Sequence, residues 1–180
     1  GVRNREVLGG AFESLFVGRE DEIERWSLND AVMLFSHLDL RPSRLSGIDL
    51  GEIYEKMIER FSESQGNLGD FCVPEQVSSL VARLARPLPG ESIYDPYCRS
   101  GQLLTRLAKH SKAPALLAGQ ARSLRDASLA KINMLLHGWI STSRIEVSDP
   151  IASPLVTRDG MLSTFDVVVS NPPFGMGDWA

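Results

Sequence analysis

The sequence predicts an α/β protein in which a parallel sheet wound with helices follows a helical region. Up to Phe61, apolar residues recur every three or four positions, as they do on one face of a helix. After Asp70, short β-branched apolar runs alternate with helical segments, and this alternation is typical of a parallel sheet. The polar, glycine-bearing stretch 62–70 lies between the two patterns. It predicts a helical region over residues 1–66 and an α/β region over residues 67–180.

About four helices are expected in the first region. Their apolar faces are expected to pack between helices, with a partner-docking surface as the alternative, and they include Phe12, Trp26, Phe35 and Leu38. The last of these helices should open at Asp49, which can cap the N-terminus while Glu52 reaches back to form a capping box.

Four strands are expected in the second region, over residues 92–94, 115–119, 145–147 and 167–169. Helices are expected over 75–86 and 102–109, and a third should be opened by a capping box at Ser123 and Asp126. Pro74 suits the start of the first of these helices. The apolar face of that helix is expected to be core, and it contains Val77, Leu80, Val81 and Leu84.

Charge and composition limit what the chain can do alone. Its 180 residues carry a net charge of −4 and a pI of about 5.4. Because DNA binding rests mainly on lysine and arginine neutralising phosphates, a chain of this charge would need a partner subunit or a further segment if it acted on DNA. No apolar stretch is long enough to span a bilayer and no leader begins the chain, so a cytoplasmic protein is expected. Cys72 and Cys98 have no disulfide or metal spacing, so no metal site is expected.

The stretch around Asn171 carries the strongest functional signal. A valine run is stopped by Pro172 and Pro173, which lack N–H groups, and a loop is left at the carboxyl end of a strand, where open α/β sheets bind ligands. The Asn171 amide oxygen and a proline carbonyl are two fixed acceptors, which suit both protons of an NH2 group. Phe174 would stack on the ring that carries that amine. The simpler alternative is a turn that only ends a strand.

A second signal is the turn over residues 95–101, between a strand and a helix. Such a turn places backbone N–H groups and a helix N-terminus where a nucleotide or a carboxylate can bind. The sequence Asp95-Pro96-Tyr97-Cys98-Arg99-Ser100-Gly101 lacks the dinucleotide pattern G-x-G-x-x-G.

The tetrapeptide Asn171-Pro172-Pro173-Phe174 resembles the catalytic motif of S-adenosylmethionine-dependent amino-methyltransferases. Together with Phe71 to Pro74, the turn, Gly119-Gln120, Ile132 to Gly138 and Ser148-Asp149, it resembles the modification subunits of type I restriction systems, which are adenine-N6 DNA methyltransferases. The likeness covers residues 50–175. It implies a Rossmann-like methyltransferase sheet, truncated here after its fourth strand, with a helical region before it. It also implies direct methyl transfer from S-adenosylmethionine to adenine in DNA, and work within a protein complex or homo-oligomer that includes a specificity subunit.

The resemblance also implies a role for each matching residue. Asn171, Pro172, Pro173 and Phe174 would hold the target adenine. Cofactor-binding residues would be Phe71, Pro74, Asp95, Pro96, Ser100, Gly101, Gln120 and Asp149. Plainer roles stay open for two of these, since Asp95 could cap the following helix and Asp149 could start a turn. His137 is expected to end a helix, and Cys98 to pack within the turn.

Three departures from the family pattern lie where the cofactor would bind. Tyr97 and Arg99 replace the alanine and glycine of Asp-Pro-Ala-Cys-Gly-Ser-Gly, and Ala121 stands where an acidic residue would hold ribose hydroxyls. These departures keep two alternatives open. One is a truncated or degenerate module, without catalysis, that acts in assembly or regulation. The other is an amino-methyltransferase acting on protein glutamine or ribosomal RNA.

Overall fold

The computed structural model describes residues 33, 36–39, 44–45, 47–64, 73–155 and 159–173. Its elements, in chain order, are α1 (Gly47–Ser64), α2 (Glu75–Ala85), β1 (Ser92–Asp95), α3 (Gln102–Ser111), β2 (Leu116–Ala121), α4 (Leu124–Leu136), a 3-10 turn (Ile140–Thr142), β3 (Ser143–Val147) and β4 (Val167–Val168).

The four strands form one parallel sheet in the order β3-β2-β1-β4. The predicted fold class is therefore confirmed, and each strand lies within two residues of its expected position. Because all the strands are parallel, their carboxyl ends meet at one edge of the sheet. That edge brings together the turns after β1, β2, β3 and β4.

A polar clip fixes the register of the short strand β4. The Asp166 Oδ2 atom accepts hydrogen bonds from the backbone N–H of Ser92 at 2.8 Å and from its hydroxyl at 2.7 Å. The Phe165 ring stacks on Tyr94 with 4.6 Å between centroids. Beyond the paired residues, the N–H of Val169 donates to the Tyr94 carbonyl at 3.0 Å. The valine run is thus held beside β1 up to the point where the proline loop begins.

The core lies between the sheet and helices α3 and α4. Its buried members are Ala82, Ile93, Cys98, Leu103, Leu104, Leu107, Ala108, Leu117, Ala121, Ala127, Ala130, Met134 and Ile145. Helix α4 begins as predicted, since the Ser123 hydroxyl accepts a hydrogen bond from the Asp126 N–H at 3.0 Å. Helix α2 ends with Arg86 in the left-handed conformation.

Helix α1 packs against the α/β region. Its Tyr54 hydroxyl donates to the Leu129 carbonyl of α4 at 3.3 Å, and its Glu52 pairs with Lys109 of α3 at 3.2 Å. The cap expected at Asp49 is wrong because the helix already begins at Gly47, and Glu52 pairs with another helix. The predicted boundary at residue 66, together with Phe12, Trp26 and Phe35, falls outside the described residues.

The expected core face of α2 is correct for Val81, which packs against the core, and wrong for its larger leucines. Leu84 is 73% exposed and Leu80 is 57% exposed, while Ser78 and Ala82 are the buried residues. The reason is that α2 packs closely on α3, for which small side chains are needed at the contact. Leu84 lines an open groove beside β4, whose Val168 is also exposed. Leu38, also expected to be core, is exposed.

Candidate functional site

Asp95 lies at the centre of the candidate site, at the carboxyl end of β1. Its side chain is 1% exposed, accepts a hydrogen bond from the Tyr97 N–H at 3.0 Å and is hydrogen-bonded to Ser170. Burial raises the pKa of Asp95 to about 7, and these hydrogen bonds and the Arg99 charge only partly offset that effect. Asp95 therefore bonds within its own turn and not to the N-terminus of α3, whose N-cap is Gly101.

The remainder of the turn needs small residues because it packs closely against α4. Gly101 has φ +78°, and a Cβ there would lie 3.0 Å from Met134 and 3.3 Å from Ala130 of α4. Glycine is thus needed both for the backbone conformation and for the close approach of the turn to α4. Ser100 is 2% exposed and Pro96 is half-buried.

Cys98 packs within the turn, as expected. It lies over Gly119 of β2, where an added Cβ would meet the Cys98 sulfur at 2.8 Å. Burial raises the pKa of the Cys98 thiol well above its usual value, so this cysteine is an unreactive core residue. Its neighbour Arg99 has φ +47°, a left-handed conformation that favours the glycine of the family pattern.

The end of β2 is closed by the protein itself. Gln120 is fully buried, and its Nε2 donates to the Ser148 hydroxyl at 2.6 Å and to the Ser153 carbonyl at 2.9 Å. Its Oε1 accepts from the Tyr94 hydroxyl. A cofactor contact by Gln120 would have to replace one of these bonds. Ala121 is also covered, and belongs to the apolar core.

Asp149 follows β3 and stabilises a turn. Its Oδ1 accepts hydrogen bonds from the N–H groups of Ile151 at 2.9 Å and Ala152 at 3.1 Å, while Oδ2 pairs with Arg122 at 3.3 Å. These backbone hydrogen bonds, followed by the Arg122 charge, lower the pKa of Asp149. Burial raises the pKa of Tyr97, and the charge of the nearby Asp149 raises that pKa further. The turns after β1, β2 and β3 are therefore electrostatic neighbours at this edge.

The loop after β4 continues directly from Ser170. Asn171 and Pro173 are half-buried, and Pro172 is exposed. Within residues 73–155 and 159–173, no hydrogen bond engages the Asn171 side chain. Pro74 is exposed at the start of α2, and Phe71 and Phe174 fall outside the described residues.

S-adenosylmethionine is the cofactor that this kind of fold implies, and the residues at one end of the site fit it. Among the described residues no side chain caps the N-terminus of α3, and the first N–H groups of such a helix suit the carboxylate of the methionine part. Asp95 opens the turn that leads to this helix, but its carboxyl is buried and already bonded to the Tyr97 N–H. At the ribose end, position 121 offers no carboxylate.

Two site residues lacked a role at the sequence level. Ser170 was part of a strand signal, although its place directly before Asn171 pointed to the same edge. Asn133 was only a member of the family pattern, and its amide lies against the Ser100 carbonyl at 3.1 Å, across 33 residues of chain.

Among the residues that the structure describes, no His, Cys, Asp and Glu side chains cluster in a metal-binding group, and no helix is long and apolar enough to cross a membrane.

The parallel order β3-β2-β1-β4, with a turn after β1 bonded to a loop after β4, defines a Rossmann-like methyltransferase fold. The family model for the N-6 DNA methylases matches residues 46–180, and the chain belongs to that family. A solved structure, the methyltransferase subunit of a type I restriction-modification system from Streptococcus thermophilus, shares the fold with a TM-score of 0.70 and 26% identity. That match covers 83% of this chain and 32% of the other.

Two curated relatives are type I methylase subunits. The type I restriction enzyme MjaVIII methylase subunit of Methanocaldococcus jannaschii is 31% identical over 186 residues, which cover 95% of this chain and 31% of the relative. The EcoEI methylase subunit of Escherichia coli is 32% identical over 137 residues, which cover 69% of this chain and 27% of the relative. The chain thus spans about a third of the length of these relatives.

Proposed function

We propose that this chain forms the cofactor-binding and adenine-binding part of a site-specific adenine-N6 DNA methyltransferase, the modification subunit of a type I restriction-modification system. One observation carries the proposal. The hydrogen bond between Asp95 and Ser170 joins the turn that suits the methyl donor to the loop that suits the target amine. Membership of the N-6 DNA methylase family and the similarity to type I methylase subunits support the same function.

The residues of this chain would act by positioning. The Asn171 amide oxygen and the Pro172 carbonyl would accept both protons of the adenine amino group, which leaves the nitrogen lone pair directed at the methyl donor. When bound, S-adenosylmethionine supplies an activated methyl group. Asp95 and the N-terminus of α3 would hold its amino-acid end, and Phe174 would stack on the flipped base.

DNA recognition is proposed to need a second subunit. The net charge of −4 gives this chain no excess of lysine and arginine for phosphate contacts. A specificity subunit, or a further segment of the protein, would therefore supply the grip on DNA and the choice of sequence.

The direct test uses the protein that carries this chain, together with its specificity subunit. Radiolabelled S-adenosylmethionine should transfer its methyl group to adenine in DNA containing the recognition site. It should not label RNA or protein. It should also not label DNA in which guanine replaces the target adenine. Label found only on RNA or protein would contradict the proposed substrate.

A specific observation favours a second candidate, a module that keeps the fold without catalysis. Arg99 holds a strained left-handed conformation in the turn, and Ala121 provides no ribose acceptor. Calorimetric titration with S-adenosylmethionine separates the two functions. Binding at micromolar concentrations supports the enzyme, while the absence of binding, combined with stable assembly into a complex, supports the module.

A further inference from the structure

Glu55 of α1 is a buried carboxylate at the junction of three helices. It is 5% exposed. Its Oε1 accepts hydrogen bonds from the Thr105 hydroxyl at 2.7 Å and from the Asn133 amide at 3.2 Å, and lies 3.1 Å from His137 Nε2. Its Oε2 faces Arg106 at 3.6 Å. A buried charge with this many partners is anchored in one position.

The ionised state of Glu55 is favoured despite its burial. Burial alone would raise its pKa, but the hydrogen bonds from His137 and Thr105, followed by the charges of His137 and Arg106, lower the pKa overall. An ionised carboxylate can only accept hydrogen bonds. Each group that faces Oε1 must therefore be a donor.

Asn133 is the link between Glu55 and the turn after β1. Its Nδ2 donates one hydrogen to Glu55 and the other to the Ser100 carbonyl, at 3.1 Å. Because both neighbours are acceptors only, the amide group has one allowed orientation. If the carboxylate were lost, the amide could rotate and turn its oxygen toward the Ser100 carbonyl, and the hydrogen bond from Asn133 to that carbonyl would be broken.

The fit of α1 onto this network is close. A Cβ added to Gly51 would lie 2.3 Å from the His137 ring, so the backbone of α1 rests directly on that side chain. The same helix makes a second, more exposed contact through Glu52 and Lys109, which has no bond to Asn133 or to the turn. That outer pair offers a control on the same helix.

We propose that Glu55 is a positioning residue for the turn over residues 95–101. Helix α1 orients the Asn133 amide through Glu55, and Asn133 in turn holds the Ser100 carbonyl, so docking of α1 sets the shape of the candidate cofactor site. The inference rests on the proposed function only in taking this turn to be the place where S-adenosylmethionine binds. The coupling between α1 and the turn can be measured without any cofactor.

The experiment compares Glu55→Gln with two controls in the protein that carries this chain. Thr105→Val removes a buried hydrogen bond to the same carboxylate but leaves the path through Asn133 to Ser100 intact. Glu52→Gln removes the outer ion pair. Amide hydrogen exchange is followed at Gly101, whose N–H donates to the Cys98 carbonyl, and at Arg86, whose N–H donates to the Ala82 carbonyl at the end of α2. Affinity for S-adenosylmethionine is measured by calorimetry.

Glu55→Gln should speed exchange at Gly101 about tenfold without changing Arg86, as expected for local opening of one segment. The dissociation constant for S-adenosylmethionine should also rise about tenfold. Both controls should leave these two measurements within about twofold of the original protein. Asn133→Ala should give the same local opening, and adding Glu55→Gln to it should change the exchange little, because both act along one path.

The proposal is overturned if Glu55→Gln and Thr105→Val each speed exchange at Arg86 as much as at Gly101. Glu55 would then stabilise the whole domain and not the turn in particular. It is also overturned if Gly101 opens but the cofactor affinity is unchanged. If the original protein binds no S-adenosylmethionine, the proposed function fails. The exchange result at Gly101 then decides by itself whether α1 controls the turn.

Discussion

Asp95 and Ser170 are hydrogen-bonded to each other across the carboxyl ends of β1 and β4. Asp95 opens the turn that leads to the N-terminus of α3, and Ser170 directly precedes Asn171. The clip between Asp166 and Ser92 fixes the other end of the same strand pair. The turn after β1 and the loop after β4 are therefore held together by hydrogen bonds at both ends of β4.

The buried Asp95 carboxyl should make stability depend on pH in an unusual direction. Its pKa of about 7 exceeds the usual 3.8 because of burial, so the folded protein holds this proton more tightly than the unfolded chain does. Stability from this group is therefore greatest below pH 4 and is lost as pH rises through 7. Asp95→Asn should be more stable than the original at pH 8, by on the order of 4 kcal/mol, with the difference shrinking toward pH 4. Urea unfolding at both pH values measures it.

Asp149→Asn is the matched control for that measurement. The pKa of Asp149 is lowered by backbone hydrogen bonds, so its contribution is present above pH 4 and is lost as pH falls. Its replacement should reduce stability at neutral pH and have little effect in acid. A difference between Asp95→Asn and the original protein that stays constant across pH would contradict the burial effect.

Arg99→Gly should stabilise the protein and favour cofactor binding. Arg99 has φ +47°, and a left-handed residue with a Cβ costs about 1 to 2 kcal/mol that glycine does not. Removing the guanidinium also removes a positive charge near the place proposed for the sulfonium of S-adenosylmethionine. The measurements are urea unfolding and calorimetric titration.

Arg99→Ala separates the two effects, since alanine removes the charge but retains the Cβ. It should share any gain in cofactor affinity that comes from charge and should lack the gain in stability. If Arg99→Gly were no more stable than Arg99→Ala, the backbone strain at this position would be negligible.

The sequence was sufficient for local features and failed where tertiary partners decide. The valine run, the glycine turn and the Ser123 cap are each specified within a few residues, and all three are where they were expected. Leu80 and Leu84 of α2 were wrongly expected in the core, because periodicity shows which residues share a face but not how far that face is covered. Glu55 and Asn133 meet across 78 residues of chain, so no local pattern could pair them.

Gly51→Ala should destabilise the protein although it lies inside a helix. Alanine normally gains about 1 kcal/mol over glycine in a helix interior. Here the added methyl would lie 2.3 Å from the His137 ring, and overpacking of a buried contact costs about 1 to 3 kcal/mol. A net loss of stability in urea unfolding is therefore expected.

The double variant Gly51→Ala with His137→Ala tests the cause of that loss. Removing the imidazole makes room for the methyl, so the cost of Gly51→Ala should disappear or reverse in that background. A gain in stability from Gly51→Ala alone would contradict the close contact between the backbone of α1 and the His137 ring.

Asn171→Ala should remove methyl transfer while leaving the fold and cofactor binding intact. Its side chain makes no hydrogen bond within the described residues, so truncation should change the free energy of unfolding by less than about 0.5 kcal/mol. Loss of one acceptor for the target amine should lower the transfer rate about a hundredfold or more, as loss of a transition-state contact does. Pro172→Ala is the matched comparison, since it keeps the carbonyl and loosens only the backbone, and it should lose less. A transfer rate unchanged by Asn171→Ala, measured beside unaltered titration with S-adenosylmethionine, would place the amine-binding acceptors elsewhere.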